Sequence, residues 1–168
     1  MAESLKTDTA IRRASPADGF LVEALTRRIW TGRISPESTV FRETAQSVAA
    51  QIAKGGGAVL IRGGLPIGSG RWVPVPGPGR AGRWMEVKRI GVLPEFQKQG
   101  FGAVILATLE AQGRETGAVG AQLAVRADQP RLVDFYAALG YSGADDVELT
   151  THNPLSLPPF GMRKIFKD

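Results

Sequence analysis

A glycine-containing turn at residues 97–102, with the sequence QKQGFG, has the residue types best suited to ligand binding in this chain. Gly100 and Gly102 remove side chains where the backbone must turn and approach a ligand closely. The helix predicted to follow would present free backbone N–H groups, and these form an anion site together with the positive end of the helix dipole. The turn is therefore predicted to bind a diphosphate, with an ordinary strand-to-helix turn as the alternative.

Two common nucleotide-binding motifs do not fit this turn. A dinucleotide-binding fingerprint needs a third glycine three residues after the second, but Ile105 occupies that position. A P-loop needs Gly-Lys followed by Ser or Thr, which the turn lacks. Another class of phosphate-containing ligand is therefore expected.

The composition limits the classes of protein to consider. A chain of 168 residues with 43% hydrophobic residues is predicted to form one domain over residues 1–168, with residues 1–8 as a flexible extension. It has no cysteine and one histidine, His152, which argues against disulfides, a cysteine nucleophile and a metal centre. Without a signal-peptide pattern or a long apolar run, the chain is expected to be soluble and cytoplasmic, with no membrane partner.

The net charge of +5 and the pI near 10.0 favour an anionic partner, such as a phosphate-rich cofactor. The basic residues are spread along the chain, with pairs at 12–13, 27–28 and 88–89 instead of one dense stripe. Only three tryptophans and two tyrosines are present to stack on bases. Nucleic acid is therefore not the favoured partner.

The first half of the chain predicts a strand followed by two helices and a hairpin. Residues 9–13 form the strand, and Ser15 begins a helix. A second helix is predicted to start at Ser35 and to carry an apolar face as far as Ile52. Two strands, at residues 57–62 and 65–75, are predicted to form a hairpin around the Gly63-Gly64 turn.

A segment rich in proline and glycine, residues 74–82, separates this hairpin from the next strand. It is predicted to be a loop, because proline lacks a ladder donor and glycine is costly to order. The following strand, residues 84–93, is expected to place five side chains on one face: Trp84, Glu86, Lys88, Ile90 and Val92.

The second half alternates helices and strands. A helix at residues 101–117, with an expected Glu110–Arg114 ion pair, precedes a strand at residues 121–125. Another helix follows Pro130, and two more strands are predicted at residues 147–151 and 161–166. The pattern predicts an α/β fold with a mixed sheet, and the strand–helix–strand unit around the turn predicts two parallel strands.

Two motifs in this pattern resemble the GNAT superfamily of acyl-CoA-dependent N-acetyltransferases. Residues 97–102 are similar to its Arg/Gln-x-x-Gly-x-Gly/Ala motif, and residues 135–141, FYAALGY, are similar to its second motif. As in the family, a strand and then residues 92–96, VLPEF, precede the first of these motifs. The resemblance covers nearly the whole chain, because residues 11–18 look like a common opening and residues 161–164 like a common last strand.

The resemblance implies a single-domain GNAT fold, with a mixed central sheet splayed between the fourth and fifth strands and helices on both faces. It also implies acetyl-CoA as co-substrate, no metal, and the pantetheine arm lying between the splayed strands. Gln129 stands where many members have an asparagine that contacts pantetheine. The implied cofactor-binding residues are Ile90, Gly91, Val92, Gln97, Lys98, Gln99, Gly100, Phe101, Gly102, Ala103 and Gln129.

The activity implied is transfer of an acetyl group to a primary amine of a small molecule or protein, by direct attack in a ternary complex. An alkylammonium must lose a proton first, and Glu86 is the expected base, directly or through a water. Tyr136 is expected to protonate the departing thiolate, and the Val92 N–H to polarise the thioester carbonyl. The alternatives are a strand glutamate paired with a neighbouring base and a core tyrosine.

Two other functions remain open: a non-catalytic acyl-CoA binding or sensing domain, and a toxin-like enzyme that acetylates aminoacyl-tRNA. The resemblance also allows a homodimer. It does not identify the acceptor amine or the acyl-chain preference. The acceptor is expected to contact the first two helices, the 74–82 loop and the segment around residues 150–160, which includes His152.

Overall fold

The computed structural model describes residues 8–77 and 83–168. The loop predicted at residues 74–82 and the extension predicted at residues 1–8 lie largely outside the described residues. The strands are β1 (Thr9–Arg13), β2 (Gly56–Arg62), β3 (Leu65–Pro76), β4 (Arg83–Val92), β5 (Ala118–Val125), β6 (Ser142–Gly143) and β7 (Phe160–Ile165). The helices are α1 (Gly19–Trp30), α2 (Ala45–Lys54), α3 (Phe101–Glu115) and α4 (Arg131–Ala138).

The strands form one seven-stranded sheet in the order β1-β2-β3-β4-β5-β7-β6. Strands β4 and β5 are parallel, as the strand–helix–strand pattern predicted, and the other neighbours are antiparallel. Helix α3 connects the parallel pair. The predicted mixed α/β sheet is therefore confirmed.

The helices cover both faces of the sheet, which two neighbouring residues of β3 make clear. The Arg71 guanidinium binds Gln51 of α2, whereas the Trp72 indole donates to Gln112 of α3. Successive side chains of a strand point to opposite faces, so α2 and α3 lie on opposite sides. The larger core cluster lies mainly beneath α3, and a smaller one joins α1 and α2 to Val59 of β2.

The hairpin of β2 and β3 forms where it was predicted. Gly63 and Gly64 both have positive φ, 56° and 79°, as a two-residue hairpin turn with matching twist requires. The strand predicted at residues 65–75 is confirmed and continues to Pro76 opposite Arg83, so the start of the predicted 74–82 loop is wrong for residues 74–76. Strand β3 pairs with β2 only as far as Trp72, so the later prolines can direct their nitrogens to a free edge.

The second predicted helix begins ten residues later than the sequence suggested. Residues 36–38 form a turn, Thr39–Arg42 a short 3-10 helix, and α2 starts only at Ala45. Thr44 caps α2, because its hydroxyl accepts from the Ser47 N–H at 3.0 Å and its own N–H donates to the Ser47 hydroxyl at 2.9 Å. The residues before this cap form a wall of the cavity described below.

A β-bulge interrupts β4 near its carboxyl end. The register pairs Arg71 with Lys88 but Ser69 with Gly91, so two residues of β4 face one residue of β3. The first of the two, Arg89, has φ of 60°, a left-handed conformation that is uncommon outside glycine. The bulge aims this arginine differently from its neighbours.

The bulge also reverses which face the following side chains occupy. Ile90 and Val92 pack toward α3, whereas Glu86 and Lys88 point to the opposite side and contact the segment 147–151. An inserted residue shifts the two-residue alternation by one. The sequence predicted that one face of this strand carries Trp84, Glu86, Lys88, Ile90 and Val92. This prediction is wrong for Ile90 and Val92.

Two further expectations for the second half are wrong. Residues 147–151 are not a strand; their backbone binds side chains of β4 and β5, and β7 pairs instead with the short strand β6. Glu110 does not pair with Arg114. It binds the Lys164 ammonium at 3.0 Å and accepts from the Tyr141 hydroxyl at 2.7 Å, because α3 packs that side chain toward β7.

Candidate active site

A gap opens between β4 and β5, the parallel strands at the centre of the sheet. Their pairing runs only as far as Glu86 opposite Gln122. Beyond this point β5 continues to pair with β7, while β4 continues to pair with β3. The remaining residues of β4, Val87–Val92, thus border an open gap, and the predicted splay of the sheet is confirmed.

The backbone of Val92 faces this gap. Leu93 donates its N–H to the Ile67 carbonyl at 2.8 Å, and in an antiparallel pair the backbone groups of adjacent residues point to opposite sides. The Val92 N–H and C=O therefore point away from β3, and the Gln97 side chain donates to the Val92 carbonyl at 3.0 Å. By the same alternation, the backbone groups of Gly91 are directed toward β3.

The turn before α3 presents a run of free backbone donors. Lys98 and Gly100 have positive φ, 62° and 82°, and α3 begins at Phe101. Among the described residues, no acceptor is found for the N–H groups of residues 98–100, and residues 101–103 lie in the first turn of α3, where no intrahelical acceptor exists. Six consecutive N–H groups are thus available to an anion at a helix N-terminus.

The side chains of this turn are arranged around the free donors. Gln99 is exposed, and its side chain accepts from the Arg62 guanidinium of β2 at 3.2 Å. Lys98 is exposed, and Phe101 is buried in the core. Arg62 also lies over the Phe96 ring, so a second cation stands beside the turn. The sequence did not single out Arg62, because it lies 35 residues or more before the turn.

Glycine is needed at the two positions of this turn for different structural reasons. A Cβ at Gly100 would meet no atom within 4 Å, so its requirement is the left-handed backbone. A Cβ at Gly102 would come 3.2 Å from the Phe135 ring of α4, so its requirement is close packing of α4 on the helix N-terminus. Ala103 follows in the first turn and is half-buried.

Tyr136 lies on α4 beside Phe135, with its ring edge-on to Phe135 and to Tyr141. It is buried, and burial raises the pKa of its hydroxyl to about 12. The phenol therefore stays protonated at neutral pH. No hydrogen-bond partner for this hydroxyl is found within the described ranges.

Glu86 lies at the closed end of the gap and is fully occupied by donors. Its carboxylate accepts from the Gln122 side chain at 2.9 Å, from the Thr150 N–H at 3.0 Å and from the Thr150 hydroxyl. Gln122 also donates to the Glu148 carbonyl at 2.8 Å. Glu86 therefore ties the segment 147–151 across the two central strands.

Lys88 lies two residues after Glu86 on the same face of β4 and reinforces this connection. Its ammonium donates to the Thr150 hydroxyl at 2.7 Å and the Thr151 hydroxyl at 2.6 Å, and lies 3.8 Å from the Glu86 carboxylate. Burial lowers the pKa of Lys88, and the Glu86 charge opposes this shift. The side chain is held by two hydroxyls and one carboxylate beneath the segment it anchors.

Two arginines share one carboxylate on the same side of the sheet. Arg71, fully buried, and Arg89 both bind the Glu43 carboxylate, the latter at 3.3 Å. Arg89 also donates to the Thr39 hydroxyl at 2.8 Å. Burial lowers the pKa of Arg89, Glu43 opposes this, and the nearby Arg71 and Arg126 charges add to the lowering. Positive charge thus exceeds negative charge at this point.

A cavity of about 820 Å³ lies on this side of the gap. Its walls are the segment before α2, the end of β5 with the residues that follow it, the bulge residue Arg89, and residues 147–159 without 148 and 150. His152 lines it, whereas neither Glu86 nor Tyr136 does. The cavity therefore sits beside the gap, at the level of the bulge.

Gln129 is buried, and its side chain is hydrogen-bonded within the protein. Its side chain donates to the Arg33 carbonyl at 3.5 Å and accepts from the Arg131 guanidinium. Both ends of the amide are thus used within the protein.

Other site classes find no support in the described part of the chain. Within residues 8–77 and 83–168, no group of three or more His, Cys, Asp or Glu side chains is placed to hold a metal ion. The helices described are all too short or too polar to cross a bilayer.

Sequence reasoning missed most polar residues around Glu86. Lys88 and Thr150 lie 62 residues apart in the chain, and only the fold brings them together. A signal was nevertheless present: Glu86 and Lys88 alternate on a strand that is otherwise largely apolar, and Arg71 stands within an apolar strand. Charged residues are rarely fully buried without a partner, so these positions indicated a polar network.

The comparisons with known proteins agree with this geometry. The sequence model of the acetyltransferase (GNAT) family matches residues 23–141, well over half of the chain. The chain therefore belongs to the GNAT acetyltransferase family, as the two motifs predicted. No curated protein sequence gives a significant match.

Solved structures of the same fold include several acetyltransferases. PaiA N-acetyltransferase from Thermoplasma acidophilum, in complex with coenzyme A, has a TM-score of 0.71 and 17% identity, covering 94% of this chain and 99% of that one. Arabidopsis thaliana Naa50, in complex with the bisubstrate analogue CoA-Ac-MVNAL, has a TM-score of 0.68 and 13% identity, covering 95% and 100%. A Brucella melitensis GNAT acetyltransferase in complex with acetyl-CoA has a TM-score of 0.64 and 22% identity, covering 80% and 82%.

Proposed function

We propose that this protein transfers an acetyl group from acetyl-CoA to a primary amine of a small molecule or a peptide, by direct attack within a ternary complex. The observation that carries the proposal is the run of six free N–H groups at residues 98–103, which leads directly into the gap between β4 and β5. A diphosphate fits the first feature, and an extended chain with amide groups fits the second. The neighbouring structures that hold CoA or acetyl-CoA support the proposal.

The residues present fit coenzyme A in two places. The donors of residues 98–103 would hold the diphosphate, and the Lys98 and Arg62 charges would add attraction. Val92 would pair through its backbone with the amides of the pantetheine arm, next to Ile90 on the bulged stretch of strand. Gly91 allows α1 to pack closely on this stretch, because a Cβ would come 3.0 Å from Ile29.

Bound acetyl-CoA supplies an acetyl group activated as a thioester. For transfer, a bond forms between the amine nitrogen and the acetyl carbon, the carbon–sulfur bond breaks, and the ammonium proton must leave before attack. Tyr136 is proposed to give a proton to the sulfur, since its phenol is protonated at neutral pH, and the second proton that the nitrogen loses as the amide forms would restore the phenol. Glu86 is proposed to receive the amine proton.

Glu86 would act through its neighbour and not by direct contact with the amine. Its oxygens are occupied by Gln122 and Thr150, and it does not line the cavity. The Thr150 hydroxyl donates to this carboxylate, and the Lys88 ammonium links it to the hydroxyl of Thr151, which does line the cavity. A proton would therefore pass through the Thr150 hydroxyl to reach Glu86.

Two measurements test the proposed function. Calorimetry should detect binding of CoA and acetyl-CoA, and a thiol-release assay over an amine panel should detect turnover. Binding without thiol release for any amine would favour a non-catalytic acyl-CoA sensor instead. Absence of binding to folded protein would overturn the proposal.

A matched pair of variants localises the binding. Lys98→Gly keeps the backbone conformation and removes only one charge, so it should weaken CoA binding by about tenfold or less. Gly100→Val should weaken binding much more, since a β-branched residue strains the left-handed conformation that aligns the donors. Equal effects of the two variants would contradict the backbone-donor site.

A further inference from the structure

Two arginines with spare donors face the cavity beside the gap. Arg126 binds the Ser38 hydroxyl at 2.9 Å through Nη1 and Asp128 at 3.1 Å through Nε. Arg89 binds Thr39 at 2.8 Å through Nη2 and Glu43 at 3.3 Å through Nε. Each guanidinium thus has one terminal nitrogen, Nη2 of Arg126 and Nη1 of Arg89, with no partner among the described residues.

The two guanidiniums are fixed close to one another. They bind Ser38 and Thr39, which are adjacent in the chain, so both stand at the same wall of the cavity. Ser38 is buried and Thr39 is part-buried, which restricts the two arginine side chains. The result is a pair of anchored cations at one wall of the cavity, each with one free nitrogen.

The charges around this pair do not balance. Glu43 serves both Arg89 and the buried Arg71, and Asp128 serves Arg126 from a more exposed position. His152 on the cavity wall adds no negative charge. Two like charges held this close in a part-buried site repel each other, and an anion between them would relieve the repulsion.

Much of the cavity lining is apolar and comes from the segment after β6, which also contributes Thr151, His152, Asn153 and Ser156. The apolar residues of this segment that line the 820 Å³ space include Val147, Leu149, Pro154, Leu155, Leu157 and Pro159. A space of this size holds a small organic molecule. The expected occupant has an anionic group at one end and an apolar body.

We propose that the acceptor amine carries a carboxylate, which binds between Arg89 and Arg126 while its apolar part packs on the wall of residues 147–159. The inference rests on the proposed function, because it identifies the class of amine at that site. Two free nitrogens on two guanidiniums match the two oxygens of one carboxylate. Arg89 directly follows Lys88 at the bulge, so a carboxylate held there lies beside the gap that would hold the thioester.

A binding experiment tests the inference without turnover. The probes are 4-methylpentanoate and its neutral match 4-methylpentanamide, measured by calorimetry with and without CoA. The acid should bind at least tenfold more tightly than the amide, as expected of charge-assisted hydrogen bonds to arginine. In Arg126→Gln this preference should fall to threefold or less.

The control is Arg28→Gln, which removes an exposed arginine of α1 that takes part in none of the described ion pairs and does not line the cavity. This variant should keep the tenfold preference for the acid, because the preference is expected to depend on Arg126 and not on the total positive charge of the protein. Equal binding of acid and amide by the wild-type protein would overturn the inference. So would an unchanged preference in Arg126→Gln.

A kinetic experiment separates this inference from the proposed function. L-leucine is compared with 3-methylbutylamine, and 5-aminopentanoate with pentylamine, as kcat/KM per unit of unprotonated amine. At least one acid should exceed its neutral match by tenfold or more, and Arg126→Gln should remove the difference. Acetylation of the neutral amines alone would overturn the carboxylate inference and leave the acetyltransferase intact. Acid binding without any acetylation would overturn the acetyltransferase and the acceptor role of the ligand, and would leave only a carboxylate-binding site.

Phosphate specificity is a third outcome of the same assays. Aminoethylphosphonate has the amine and a larger, more highly charged anion, and inorganic phosphate has the anion alone. Both should bind more weakly than the carboxylates, because only two guanidinium nitrogens are free. Tighter binding of either phosphorus compound would overturn the carboxylate assignment.

Discussion

Thr150 binds the Glu86 carboxylate twice, through its N–H at 3.0 Å and through its hydroxyl, across 64 residues of chain. The same hydroxyl accepts from the Lys88 ammonium at 2.7 Å. One threonine therefore joins the buried Glu86 carboxylate to the buried Lys88 ammonium. Removing only its hydroxyl separates the chemical role of Glu86 from its structural role.

Thr150→Val and Glu86→Gln should both lower kcat if the proton passes through the hydroxyl to the carboxylate. Valine keeps the shape and the N–H contact, so the segment should stay in place while the relay is lost. We expect a decrease of about 10²–10⁴-fold for Glu86→Gln, the usual contribution of general base catalysis, and a smaller one for Thr150→Val. Stopped-flow kinetics, with CoA affinity as the control, provide the measurement.

The opposite result would assign Glu86 to structure alone. If Glu86→Gln retains kcat and the shape of its pH–rate profile but increases hydrogen exchange in residues 147–151, the carboxylate only anchors that segment. A change in the acidic limb of the profile, with exchange unaffected, would support the base.

Glu43 is the only carboxylate described as touching both Arg71 and Arg89. Glu43→Gln should destabilise the protein by about 3–5 kcal/mol, because it leaves two buried guanidiniums without a counter-charge. Urea unfolding measures this. The matched control is Glu115→Gln, which breaks an exposed pair with Arg13 and should cost about 1 kcal/mol or less. Similar losses in the two variants would show that the shared carboxylate is not needed for stability.

Gly102 and Phe135 allow a test of packing at the coenzyme turn. Gly102→Leu should abolish CoA binding, because even a Cβ would come 3.2 Å from the Phe135 ring and must displace it or the helix start. Gly102→Ala should weaken binding only modestly, and Phe135→Leu should relieve the alanine variant by opening space. If the double variant binds no better than Gly102→Ala, the obstacle at residue 102 lies elsewhere than in this contact.

Local features of the fold could be predicted from the sequence, because they depend on neighbouring residues. The Gly63-Gly64 hairpin and the glycine turn before α3 were predicted correctly, since their backbone angles require glycine. The bulge at Arg89 could not be located from the sequence. The inserted residue changes which face of β4 the following side chains occupy, and this change is visible only in the structure. Its consequence is large, since it directs Arg89 to the cavity.

The environment of Glu86 could not be predicted for a different reason. Residues 147–151 have β-branched side chains and alternate well enough to suggest a strand, yet their backbone is bound by Gln122 and Glu86. Such contacts replace a ladder only when buried polar side chains lie opposite, which depends on the tertiary fold. The proposed roles of Glu86 and Tyr136 stay predictions.

Tyr136→Phe should lower kcat by about 10²–10⁴-fold with little change in CoA affinity, if its hydroxyl protonates the departing sulfur.

The Tyr136→Phe variant should also change how the stability of the protein depends on pH. Because burial raises the pKa of this hydroxyl to about 12, its contribution to stability is complete below pH 10, the pKa expected in the unfolded chain, and is lost as pH rises toward 12. The wild-type protein should therefore lose roughly 3 kcal/mol from this group over that interval, and Tyr136→Phe should not. Tyr141, whose pKa is also raised by burial and by the Glu110 charge, titrates in the same direction, so Tyr141→Phe serves as the comparison. A loss of kcat in Tyr136→Phe without any change in the alkaline slope of the unfolding free energy would mean that the hydroxyl is more exposed than the packing of α4 implies. An unchanged kcat with the reduced slope would make Tyr136 a core residue only.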